Sequence, residues 1–391
     1  MSANARRGSR VGHHGHGTER KDVLRAAVTP LASIFGSGFL IIVPILEQSI
    51  GALSVVGMAG VCGLAWLVGM AVRHNVAEAE RLHDTGEMDT VTERIERGAD
   101  LVIVVAYVIS VALYLRILAQ FVVEYLSEGS GAAERILAVA IVVFITAVGV
   151  LRGLDGLQKL ERLALGIVLV LVLVLGTAFV AEDIGRLTGD GLNLPPVPDT
   201  GIGSALLVLG GIVITVQGFE TIRYTEGDAQ TRIAASRLAQ LTATVVYILF
   251  VALATPLMGL GTPAGADGDL LGLIERVVPI LALPLVLTAV FSQFSAATAD
   301  TEASVGNLKV LGWGPVQGRS GYLLVGAVAA LLAATLGTSI IIVVASRAFA
   351  AYYALQCLVA VRTSDARAAK LGYGALGIVM LLVTLLAKPA G

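Results

Sequence analysis

The sequence predicts an all-α polytopic membrane protein of about eleven transmembrane helices, and three observations carry that prediction. Of 391 residues, 56% are hydrophobic and only 14% charged, well under the roughly 25% charged of soluble domains, and mean hydropathy is +0.85. Apolar stretches near the ~20 residues needed to cross a bilayer recur along almost the whole chain. Basic residues segregate as well: with the N-terminus placed in the cytosol, 21 of the 27 Lys and Arg fall in segments on that side. Three, Arg135, Arg186 and Lys388, fall on the other. That bias orients a protein of a bacterial-type inner (plasma) membrane with its N-terminus cytosolic and its C-terminus extracytoplasmic, which requires an odd number of spans.

Residues 1–22 are polar, basic and Gly-rich, with no apolar core or cleavage site, and read as a disordered cytosolic tail. His13, His14 and His16 in it read as incidental, the alternative being weak metal binding. Spans follow at roughly 26–49, 51–72, 99–125, 133–151, 160–181, 202–222, 238–260, 273–302, 321–336, 338–361 and 371–387. The short ninth is separated from the tenth only by "LGTS", which suits a tight helical hairpin. The connection 73–98 is a mixed-charge, partly helical cytosolic segment, and "LNLPPVPDT" at 192–200 is an extracytoplasmic Pro-rich connection. Cys62 and Cys357 both lie in apolar runs and read as inert buried thiols. The chain has no P-loop, no Gly-rich nucleotide fingerprint and no paired carboxylates in a soluble fold. ATP-driven transport by this chain, nucleic-acid binding and enzymatic activity are accordingly not expected.

The first span contains "IFGSGFLIIVPILEQ". Each glycine costs a helix about 1 kcal/mol relative to alanine, and backbone is left unpaired at membrane depth only where protein or a cavity satisfies it. Gly36, Ser37 and Gly38 therefore fit two readings. In one they unwind the span into half-helices, the second aiming free N–H groups at an anionic substrate group. In the other they are a packing notch for a neighbouring helix. The sixth span, "LLVLGGIVITVQGFETIRYTEGD", carries a second interruption at Gln217, Gly218, Phe219 and Glu220. Breaks in corresponding spans of two halves are the pattern of a 5+5 inverted-repeat transporter with discontinuous helices 1 and 6. The repeats then cover 23–181 and 202–362, with 363–391 an accessory eleventh helix.

"GSGFLIIVP" and "GFETIRYTEGDAQTRIAASRLAQ" resemble the first-span and sixth-span signatures of the amino acid–polyamine–organocation transporters. The resemblance covers about residues 24–362. It implies the leucine-transporter fold, alternating access, and a substrate held between spans one, three, six, eight and ten. Two departures qualify it. Many proton-coupled members carry a lysine midway along the fifth span, where "ALGIVLVLVLVLGTAFV" has no ionisable group and Lys159 and Arg162 sit at the cytosolic end. The Asp-Pro-Gly-Asn and Met/His motifs of the metal-transporting Nramp relatives are absent, which argues against selective transition-metal transport.

Candidate site residues follow. Gly36, Ser37 and Gly38 receive a carboxylate on backbone amides, while Gln217, Gly218 and Phe219 form the opposite wall, with Phe219 as a lid. On the third span Tyr107, Ser110 and Tyr114 share one stripe by i, i+3, i+7 spacing, and Arg116, Gln120 and Glu124 form another. Arg116 reads either as a structural ion-pair member or as a substrate ligand. Ser292, Ser295 and Thr298 on the eighth span are candidate ligands for a coupling ion, Na⁺ or H⁺, together with Glu220; the alternative is that the hydroxyls bond their own helix. Asp300 and Glu302 are expected near the cytosolic end, in solvent. Glu47, about 13 Å beyond the first break, and Arg347, about 14 Å inside the outer end of span ten, stand at similar depth and suit an outer gate. Arg116 is the competing partner for Glu47, and Tyr352 and Tyr353 lie at gating depth. The expectation is a secondary transporter of a small organic solute, an amino acid or related amine, partnered only by that solute and the bilayer. An inorganic cation carrier on the same fold is the alternative, and a channel or intramembrane enzyme a remoter one.

Overall fold

A computed structural model describes residues 16–36, 38, 42–126, 130–189, 191–199, 201–225, 227–259, 271, 274–275, 278–312 and 318–386. Ser37, His13 and His14 lie outside the described residues, and of His16 only the backbone is described. The helices are α1 (His16–Ala26), α2 (Val28–Gly36), α3 (Ile42–Ile50), α4 (Ser54–Asp84) and α5 (Thr90–Leu126). Two helices joined at a kink follow, α6 (Gly131–Gly153) and α7 (Asp155–Leu187). Then come α8 (Ile202–Ile212), α9 (Ala229–Met258), α10 (Ala282–Val310), α11 (Arg319–Thr335), α12 (Thr338–Thr363) and α13 (Arg367–Leu386). α1 begins inside the segment expected as a disordered tail and packs on α9.

Among the described residues, eight helical stretches reach membrane-spanning length and apolarity. The expected spans that fall short have physical reasons. The first is α2 plus α3, broken after Gly36, and the sixth is α8 followed by 3-10 turns at Val213–Val216 and Phe219–Arg223. The ninth, α11, has 17 residues. Helix boundaries follow local chemistry. Asp89 caps α5, its carboxylate accepting from Val91 N and Thr92 N at 3.0 and 3.1 Å, and Asp228 caps α9 from Thr231 N at 3.0 Å. Gly153, at φ 63°, separates α6 from α7.

The outer surfaces of α6 and α7 are apolar and uncovered, with Leu151 78% and Leu173 68% exposed, as suits faces turned to lipid. α13 buries only Leu376 and Met380, in keeping with an accessory helix against α12. Around the centre, α10 packs on α2, α5, α6 and α7, and α12 packs on α4 and α5. The side bearing α1 is laced by ion pairs. Arg232 bonds Glu80, and Arg362 bonds Asp89 at 2.8 Å. Arg223 bonds Glu96 at 2.6 Å and stands 3.7 Å from Asp100.

Candidate functional site

The two breaks meet. Gly38 sits at φ +147° and Gly218 at φ +125°, a backbone region that L side chains rarely adopt. A Cβ on Gly218 would stand 2.6 Å from the Ile34 amide and 2.8 Å from the Ser33 side chain, and one on Gly38 would stand 2.6 Å from Thr215. The first and sixth spans thus cross backbone on backbone where each is interrupted. On the far side of α2, a Cβ on Gly36 would strike the Ala296 side chain and come 2.9 Å from the Ser292 carbonyl. The carbonyls freed by the breaks are not left bare. The Tyr247 hydroxyl on α9 reaches both the Ile34 carbonyl, at 2.7 Å, and the Thr215 carbonyl, at 2.9 Å. Its single proton is shared between the ends of the two interrupted helices.

Two carboxylates occupy this crossing, and both are 0% exposed. Glu220 accepts from the Gly218 N–H at 2.9 Å, from Tyr353 at 2.8 Å and from Tyr107 at 3.4 Å. Asp300 accepts from Ser33 at 2.6 Å and from Ser110. Tyr114 takes a bond from Gln217 at 2.9 Å. Phe219 stacks on Tyr353 with ring centroids 5.4 Å apart, and Phe349 closes on Tyr107 at 5.8 Å. Neither carboxylate has an ion-pair partner among the described residues. The nearest arginine in sequence, Arg223, is held by Glu96 and Asp100. A buried carboxylate without a counter-charge is costly as an ion, so each of the two calls for a proton or a bound cation. It holds hydroxyl, amide and carboxylate groups from the first, third, sixth, eighth and tenth spans.

Most of the residues singled out in the sequence converge here: Gly36, Gly38, Tyr107, Ser110, Tyr114, Gln217, Gly218, Phe219, Glu220 and Tyr353. The third-span stripe faces the two carboxylates as its spacing requires. Other expectations need correction. Asp300 and Glu302 are not solvated; they are 0% and 8% exposed, because α10 continues to Val310 and its polar end is covered by protein. That places Asp300 about 15 Å inside the helix end. The eighth-span hydroxyls largely bond backbone. Ser292 donates to the Ala289 carbonyl at 3.2 Å and Thr298 to the Ser295 carbonyl at 2.7 Å. Ser295 reaches the Glu161 carbonyl of α7 at 3.4 Å.

The expected gate residues do not meet in this structure. Arg116 faces Glu134 at 3.6 Å, Arg347 is exposed and Glu47 is half-buried. No ion pair among the described residues joins Glu47 to either arginine. Sequence reasoning passed over Ser33, Tyr247, Asp300 as a site residue, and Glu161. Ser33 had a signal, lying one helical turn before Gly36. Tyr247 had none, since a single tyrosine in an apolar span reads as core.

A family model described as APC superfamily transporter matches residues 16–387. An uncharacterized protein of Aquifex aeolicus (strain VF5) is 34% identical over 348 residues, spanning 88% of this chain and 84% of the relative. Several solved structures share the fold. One is Mhp1, a nucleobase-cation-symport-1 family transporter, in a closed conformation with bromovinylhydantoin bound. It has TM-score 0.60 and 12% identity, over 94% of this chain and 91% of that one. Another is MhsT in complex with L-phenylalanine, with TM-score 0.61 and 15% identity, over 93% and 98%. A third is a mutant of the manganese transporter of Eremococcus coleocola, with TM-score 0.58 and 12% identity, over 95% and 87%. At such identities the likeness concerns the fold, which is the leucine-transporter fold with discontinuous first and sixth helices.

Proposed function

Because the chain belongs to the APC superfamily of transporters, we propose that it is a secondary transporter carrying a small organic amine, an amino acid or a related compound, by alternating access. The observation that supports this reading is the pair Glu220 and Asp300, both 0% exposed and without a cationic partner among the described residues. An ammonium group offers three donors and one positive charge, which matches two carboxylates ringed by Tyr107, Ser33, Ser110 and Tyr353. The carboxylate of an amino acid would lie toward Gly38, away from Glu220, which already holds the Gly218 amide. Phe219, stacked on Tyr353, would move aside to release the solute. The site is out of reach of solvent here, as the occluded stage of an alternating-access cycle requires. The basic face, cytosolic in this reading, is closed by Arg223 on Glu96 and Asp100.

A second reading rests on the donor set. Asp300, Ser33, Ser110 and Glu220 offer oxygen alone, which suits a hard inorganic cation. One experiment separates the two. The purified protein is screened by thermal shift against amino acids, amines and mono- and divalent cations, since a ligand of the folded state raises apparent stability. Hits are then tested for uptake into proteoliposomes. An amine that stabilises and is taken up by the parent, with both effects lost in Glu220→Gln and Asp300→Asn, supports the proposal. Stabilisation and uptake of metal ions alone would replace it with the second reading.

A further inference from the structure

A third acid lies outside the central pair. Glu161 is on α7, about 9 Å inside its start, and is 1% exposed. Its neighbours in sequence, Lys159 and Arg162, are exposed. Its Oε2 accepts from the Thr29 hydroxyl of α2 at 3.3 Å, while its Oε1 is buried with no hydrogen-bond partner among the described residues. The carbonyl of the same residue receives Ser295 of α10 at 3.4 Å. The charged groups that face Glu161 are Glu302 and Asp300 from α10 and Arg162 from its own helix. From α2 the facing group is Thr29. From α11, Tyr322 stands beside Glu302. Glu302 in turn accepts from Gln158, one turn before Glu161, at 2.8 Å.

We propose that Glu161 is a proton-binding site that couples transport to a proton gradient, distinct from the central pair and linked to it through α2. Thr29 and Ser33 are four residues apart and so stack on one face of α2, about 6 Å from each other. Ser33 donates to Asp300 and Thr29 to Glu161. A single half-helix thus holds both carboxylates, and its displacement alters both together. A carboxylate oxygen sealed from water without a donor, and facing two further acids, is costly as an ion. Adding one proton to Oε1 removes the charge. Losing it toward the basic face, from which Glu161 is separated by about two helical turns, restores it. Sodium is the poorer occupant. A sodium ion wants several oxygen ligands at once, whereas among the described residues Glu161 Oε1 has no hydrogen-bonding neighbour.

This inference rests on the transport reading, but the site has a readout that needs no substrate. Infrared spectra of the full-length protein in lipid are taken across a pH titration, following the C=O stretch of protonated carboxylic acid. The parent should show a titrating band that loses about one carboxyl in Glu161→Gln, and in Thr29→Val the same band should shift in frequency. Superimposable spectra for Glu161→Gln and the parent overturn the proposal; if that variant does not fold, an unshifted band in Thr29→Val does so. A band abolished by sodium chloride but not by choline chloride at constant pH assigns the site to Na⁺ and likewise overturns it. Uptake of the solute found in the preceding screen should be driven by an imposed proton gradient, at least ten-fold less in Glu161→Gln. If no amine is taken up by the parent, the substrate reading fails while the infrared result stands by itself.

Discussion

Gly218→Ala tests the crossing of the two breaks most directly. The residue adopts φ +125°, where an L side chain is strained by about 1–3 kcal/mol. The new Cβ would fall 2.6 Å from the Ile34 amide and 2.8 Å from Ser33 Cβ and Oγ. Overpacking of that kind costs about 1–3 kcal/mol when neighbours must shift. The backbone of α2 cannot yield as a flexible side chain would, so little of that cost is relieved. The sum is about 2–6 kcal/mol against the crossed arrangement, part of which the Ser33 hydroxyl absorbs by leaving Asp300. Losing even the lower figure weakens ligand binding by about 30-fold. The assay is ligand-induced thermal shift on the purified variant, beside Gly63→Ala. A Cβ at Gly63 meets nothing within 4 Å, so that variant should behave as the parent. If Gly218→Ala binds within two-fold of the parent and melts like Gly63→Ala, the backbone-on-backbone crossing is refuted as the basis of the site.

Further outcomes follow from other contacts. Thr298→Ala removes a hydroxyl bonded to its own helix, so uptake should stay within about two-fold of the parent and remain indifferent to a sodium gradient; a sodium-dependent parent crippled by this change would restore the eighth-span hydroxyls as ion ligands. Charge exchange examines the outer gate: Arg116 is held by Glu134 and Arg347 is exposed, so neither Arg347→Glu nor Arg116→Glu should restore uptake to Glu47→Arg, and rescue by Arg347→Glu would reinstate the gate pair in another state of the cycle. Asp89 is held down to about 2 by hydrogen bonds from the Thr92 hydroxyl and amide and from Arg362. Because this folded value lies below that of an unfolded aspartate, its stabilising effect is present above about pH 4 and is lost as pH falls through about 2. Melting curves of Asp89→Asn and the parent should therefore differ at pH 6 and converge at the acid end, and a constant offset would refute the assignment.

Much of the fold was legible because a bilayer imposes simple rules. Hydrocarbon thickness sets the span length, and both the basic segments and the two glycine interruptions are visible along the chain. The third-span stripe of Tyr107, Ser110 and Tyr114 was legible too, since helical spacing alone puts three side chains on one face. Asp300 was not. The run "TADTEASVGN" reads as a helix leaving the membrane, yet in the structure Asp300, Glu302, Ser304 and Asn307 are all buried. Asn307 donates to the Asp100 carbonyl at 2.8 Å, so other helices replace the solvent that the composition implied.

The same limit applies to Glu161. In "QKLERLAL" a lysine, a glutamate and an arginine lie within four residues, and a sequence window averages them into one polar helix end. A helix rotates each residue by about 100° from the last, so Lys159 and Arg162 face outward while Glu161 turns toward α2 and α10. By itself the sequence determined that the chain spans a membrane, how many times, and where two spans break. Those properties depend on the local sum of transfer energies and on backbone hydrogen bonding within each segment. Only the tertiary structure decided that Glu220 meets Tyr353, that Asp300 meets Ser33 and Ser110, and that Arg116 meets Glu134 rather than Glu47. Each of these joins residues more than a hundred positions apart, or in the case of Arg116 on separate helices. Their proximity is set by how whole helices rotate and pack, information that no single segment carries.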